Sequence, residues 1–220
     1  MQLIDQLVAE HDLIEKVLES MRAYVNARIR GEADPSDGIR FIRFFRVFAG
    51  HFHHAREEDI LFVALVQKAE LPADRGPIAV MIADHAHMAG LLDQLEPLLG
   101  MEDLDAAASE QMQNLAVAYS RALWQHIDAE NSVLLPESLE RLRRHHILEL
   151  PSRPMSVEEE EARSFGEHLL AKYPPIRDAE ALRGDGCSLC PAFGNSCRGL
   201  EREWWNEWEW DESADNAPKN

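Results

Sequence analysis

The segment His53-His54-Ala55-Arg56-Glu57-Glu58-Asp59-Ile60-Leu61-Phe62 decides how this chain is read. Wound as a helix, it puts His53 and Glu57 one turn apart on a single face. The figure returns downstream in His126-Ile127-Asp128-Ala129-Glu130-Asn131-Ser132-Val133-Leu134-Leu135-Pro136. In both segments Glu follows His by four positions, and a large apolar residue, Phe62 or Leu135, follows that Glu by five. A single His-x-x-x-Glu is usually a solvated surface pair. Two helices, each offering an imidazole and a carboxylate, can bracket a pair of metal ions.

Outward from these segments the apolar periodicity is helical. From Met1 to about Arg30, Leu3, Leu7, Ile14, Leu18, Met21 and Val25 form a stripe, and His11 falls inside it. Residues 31–38 hold Pro35 and two glycines and read as a loop. A second helix from near Ser36 to about Glu70 carries Phe41, Phe45, Phe48 and Phe52 as an aromatic stripe. Leu71-Pro72 and Gly76-Pro77 break the chain. The third helix runs through Ile78, Met81, His85, Met88, Leu92, Leu95 and Leu99, with His85 in its apolar seam and Pro97 near its end. The fourth spans about Asp105 to Leu135, is limited by Pro136, and leads into a short helix reaching His146. No segment alternates as a strand does. The expectation is an all-α, up-down-up-down four-helix bundle over residues 1–150.

After Pro151 the texture changes. Ser156-Val157-Glu158-Glu159 opens a short helix, to about Lys172, with a capping box. Residues 151–220 therefore read as a C-terminal extension: that helix, a loop-rich Cys cluster, and an acidic tail rich in Trp.

Across 220 residues the formal charge is -18, which argues against nucleic acid and against anionic membrane as partners. No stretch has the apolar length of a bilayer span, and Met1-Gln2-Leu3-Ile4-Asp5 lacks the basic start of a signal peptide. Three cysteines, all near the C-terminus, are no secreted disulfide framework. The expected compartment is the cytoplasm.

Four His in the seams of four helices are difficult to explain as packing, because each buried unpaired polar group costs about 1–3 kcal/mol. Two buried Glu would be worse without a cation. Imidazole and carboxylate together suit iron, manganese or zinc. A carboxylate can bridge two ions, whereas imidazole normally binds one. Glu57 and Glu130 are thus the expected bridges, with His11, His53, His85 and His126 as terminal ligands.

Over residues 1–136 these motifs, with His11-Asp12-Leu13-Ile14 and residues 77–85, resemble the hemerythrin-like (HHE cation-binding) proteins. That resemblance implies a four-helix bundle with a non-haem di-iron centre. It selects His53 with Glu57, rather than His54 with Glu58, as the first pair. Oxygen-carrying members add a fifth His one turn after the third-helix ligand, where this chain has Ala89. A branch resembling iron–sulfur-cluster repair proteins takes its fifth His from the end of the first helix, and none is found there. Water, Glu58, or His54 after a local distortion would then complete the coordination. Ferritin-like di-iron bundles use Glu-x-x-His, and no His here has a Glu three residues before it.

The function expected is binding of, or response to, a small ligand: dioxygen, peroxide or nitric oxide. Two rival readings remain, an iron-sensing regulator that uses its tail to hold a protein partner, and a redox enzyme. Cys187, Cys190 and Cys197 offer thiolates for a second metal, with a redox disulfide or free thiols as alternatives. His51, His54, His145 and His146 read as surface or outer residues.

Overall fold

The structure, a computed structural model, describes residues 1–176. Cys187, Cys190, Cys197 and the Trp204 to Trp210 segment lie outside them. Five helices account for the architecture, and among the described residues there is no strand. Helix α1 is Gln2–Ile29, and its buried stripe contains His11 as the spacing predicts. Helix α2 covers residues 35–68. It starts with Pro35 in its first turn, and the Asp34 side chain accepts from the Ser36 amide at 2.8 Å. Helix α3 is Gly76–Leu99 and carries Pro97 in its last turn. Helix α4 covers residues 106–144, opened by Asp105, whose carboxylate accepts from the Ala108 amide at 2.7 Å. Helix α5 is Val157–Lys172, opened by the capping box of Ser156 and Glu159. Helices α1 to α4 form the up-down-up-down bundle.

Two of these helices are not α-helical throughout. Within α2, Phe44–His54 and Glu57–Phe62 are π-helical. Within α4, Glu130–Leu134 is π-helical as well. A π turn closes through i→i+5 bonds, so it holds an extra residue and changes which side chains face inward. Two of the three stretches lie within the two His/Glu segments, and the other ends on His53 and His54. Pro136 does not stop α4: it falls in the first turn of the α-helical part that follows, where its missing N–H is not needed.

The apolar core is in two pieces. One holds Leu3, Leu7, Leu61, Phe62, Met81, Leu134 and Leu135. The other holds Ile14, Phe45, Phe48, Phe52, Met88, Leu123 and Ile127. On α1, α2 and α3 the candidate His lies where the chain passes from one cluster to the other, and on α4 His126 lies just before Ile127, the last member of the Phe-rich cluster on that helix. A polar layer therefore crosses the bundle at one level.

Helix α5, grouped with the extension from sequence, packs on α1 and α2. Ala162, Leu169 and Tyr173 join the Phe-rich cluster. Gly166 permits the approach, since a Cβ there would lie 2.5 Å from the Phe44 ring. The buried Ser20 hydroxyl donates to the carbonyls of Leu169 and Tyr173, satisfying the C-terminal end of α5. Asp37, in the first turn of α2 and 1 % exposed, accepts from Arg40, Lys172 and the Tyr173 hydroxyl.

Candidate metal centre

His11, His53, Glu57, His85, His126 and Glu130 are all buried, and both Glu are 0 % exposed. The structure brings the six together. Nε2 of His53 lies 2.9 Å from Nε2 of His11, and Nε2 of His85 lies 3.1 Å from Nε2 of His126. Two nitrogens held at right angles by one cation, each at about 2.1 Å, would be about 3 Å apart. Both pairs have that separation.

The carboxylates lie between the pairs. Glu57 turns Oε1 to His53 at 3.3 Å and Oε2 to His85 at 3.6 Å. Glu130 Oε2 is 3.2 Å from His11 Nε2 and 3.4 Å from His126 Nε2. Among the described residues, none of the four Glu57 and Glu130 oxygens accepts a well-formed hydrogen bond. Buried carboxylates require such partners or a cation. Two donor groups share Glu57: His11, His53, Glu57 and Glu130; and His54, Glu57, His85 and His126.

The far nitrogens of the rings are turned to acceptors. His53 Nδ1 meets Glu10 at 2.8 Å, and His11 Nδ1 meets Asn131 Oδ1 at 2.8 Å. His85 Nδ1 meets Glu58 at 2.6 Å, and His126 Nδ1 points to Asp84 at 3.6 Å. An acceptor behind a ring puts the proton on Nδ1 and leaves Nε2 free to bind a metal. Glu10 also accepts from Arg56, which is 1 % exposed and lies 3.9 Å above the Phe52 ring.

Charge in this layer is strongly coupled. Burial disfavours the His53 cation, but Glu57 and Glu10 outweigh it and raise its pKa to about 10. Burial likewise opposes the Glu57 anion, yet His53, His85 and His11 bring it down to about 2. His126 is raised despite burial, mainly by Glu130 and Asp84. His54 is lowered well below the ordinary value by burial and by the neighbouring imidazoles. A bound cation would compete with protons for these nitrogens.

The other candidates separate cleanly. His51, His87 and His146 are exposed and His145 is half-buried. Ala89 is exposed, so α3 supplies no second inward group one turn after His85. Glu58 sits behind His85 as an acceptor. His54, read from sequence as outer or as a completing group after distortion, stacks on His85 with ring centroids 3.9 Å apart. Sequence reasoning missed Glu10, Asn131 and Asp84, whose only sign is their adjacency to His11, Glu130 and His85.

A comparison with protein families matches residues 2–138 to the hemerythrin HHE cation binding domain. No curated protein and no solved structure matches the chain. Among the described residues, no helix is long and apolar enough to cross a membrane.

Proposed function

Because the chain belongs to the hemerythrin HHE cation-binding family, we propose that its polar layer holds two non-haem iron ions that bind a small ligand. His11 and His53 would hold one ion and His85 and His126 the other, with Glu57 and Glu130 shared between them. The donor set is the borderline nitrogen and oxygen mixture that suits iron, with manganese and zinc as chemical competitors. When bound, such a pair supplies coordination and electron exchange toward dioxygen, peroxide or nitric oxide.

The protein's own residues do the rest. Glu10, Asn131 and Glu58 hold the rings of His53, His11 and His85 in the tautomer that presents Nε2. Leu7, Phe52, Leu61 and Phe62, each under 5 % exposed, exclude bulk water from above and below. A dry surround strengthens every electrostatic contact within it.

The observation that carries this reading is the two close imidazole pairs on either side of carboxylates that accept no hydrogen bond. Its test is metal analysis of the full chain purified from iron-replete cells. About two irons per chain and an oxo-to-iron charge-transfer band are expected. A colourless, iron-free protein that stays so after anaerobic addition of ferrous iron would overturn it.

A further inference from the structure

The centre as drawn has four imidazoles, two for each ion, and a fifth histidine touches it. We propose that His54 is a metal ligand, serving the ion held by His85 and His126. The proposal rests on the two-ion reading above and adds a residue to it.

On an α-helix, neighbours in sequence point about 100° apart, so with His53 aimed inward His54 falls toward the edge of the buried face. In this chain the helix is π-helical over Phe44–His54. The extra residue in each π turn narrows the angle between neighbours to about 80°, which moves His54 closer to the inner face. The two side chains then diverge. His53 belongs with His11, Glu57 and Glu130, whereas His54 belongs with Glu57, His85 and His126. In each group one ligand atom per residue lies within 4.8 Å of all the others.

Ring contacts show the proximity, and the parallel stack on His85 must open for both rings to face one ion. His54 lies 3.9 Å from His85, centroid to centroid, at an interplanar angle of 11°, and 5.5 Å from His126. Packing alone does not explain three imidazoles and a carboxylate crowded at one point, since each imidazole brings a polar nitrogen. A shared cation gives those nitrogens a common partner.

With His54 included the centre has five imidazoles and two shared carboxylates, divided three against two. The two ions are then unequal. The one between His11 and His53 has two imidazoles and the other has three.

His54→Phe separates the readings, because it keeps a flat ring against His85 and removes both nitrogens. If His54 only stacks, this variant holds as much iron as the wild type. If His54 is a ligand, iron falls from about two per chain to about one, or the second iron binds at least tenfold more weakly. His54→Ala guards against a misfit of Phe: added imidazole should restore its second iron. His51→Ala, at an exposed neighbour, should keep both. Far-UV circular dichroism of the iron-free proteins checks that each variant is folded. Mössbauer spectra of the wild type should show two unlike iron sites. Full iron content and an unchanged spectrum in folded His54→Phe and His54→Ala would overturn the proposal. A wild type without iron would instead overturn the two-ion reading itself.

Discussion

Changing Glu130 to Gln should make the ion-free protein more stable and the ion-loaded protein less so. In the fold Glu130 is 0 % exposed, and neither oxygen accepts a hydrogen bond. A buried polar group in that state costs about 1–3 kcal/mol. Gln has the same shape without the charge, and its amide can donate to Nε2 of His126 or His11, which now lie 3.4 and 3.2 Å from Oε2. At about 2–4 °C per kcal/mol for a chain of this size, a gain of about 2 kcal/mol raises Tm by roughly 4–8 °C. Loaded protein behaves oppositely. An ion present at a hundredfold excess over its Kd adds about 2.7 kcal/mol, which the variant forfeits in proportion to lost affinity. Calorimetry of both proteins, stripped and iron-loaded at pH 8, should therefore give an inverted order of melting. The reasoning is refuted if stripped Glu130→Gln melts below stripped wild type, or if it binds iron as tightly.

Three further outcomes test other parts of the structure. Gly166→Ala places a Cβ 2.5 Å from the Phe44 ring and 3.1 Å from Val17, so it should destabilise by about 1–3 kcal/mol in urea unfolding. Asn131→Ala removes the acceptor behind His11 and should weaken iron binding about 10–100-fold in a chelator competition, with helicity unchanged. Glu159 is held at about 2 chiefly by hydrogen bonds from Arg153, against burial, with help from the Ser156 amide. Its folded pKa is depressed, so its contribution is present above the ordinary 4.5 and is lost as pH falls toward 2. Glu159→Gln should cost about 1 kcal/mol at pH 7, discounted because Arg153 is 39 % exposed, and nothing near pH 2.

The bundle was legible because its signals are local. His11 and His85 keep the helical step of the leucines and methionines around them, and each His/Glu pair sits one turn apart on its own helix. That was enough to bring six side chains from four helices to one level. The π stretches were not legible in the same way. Phe44–His54 has no glycine or proline break at its start, and its i→i+5 pattern is settled by packing against other helices. For that reason His54 read as an outer residue, or as one that reaches the centre only after a local distortion, when its neighbour read as inward. The acceptors behind the rings escaped as well. Glu10 serves a histidine on α2 and Glu58 one on α3, and sequence spacing speaks only of neighbours on one helix. The docking of α5 hinges on a missing side chain at Gly166, which in sequence looks like any helix-weakening glycine.

The clasp at Asp37 fixes where the chain departs. Lys172 and Tyr173 are tied to the first turn of α2, so the last described residues stand at that end of the bundle. From Asp37 to His53 the helix climbs roughly 24 Å at about 1.5 Å per residue. Tyr173, with the end of α5, thus lies well away from the buried histidines, at the far end of the phenylalanine-rich packing.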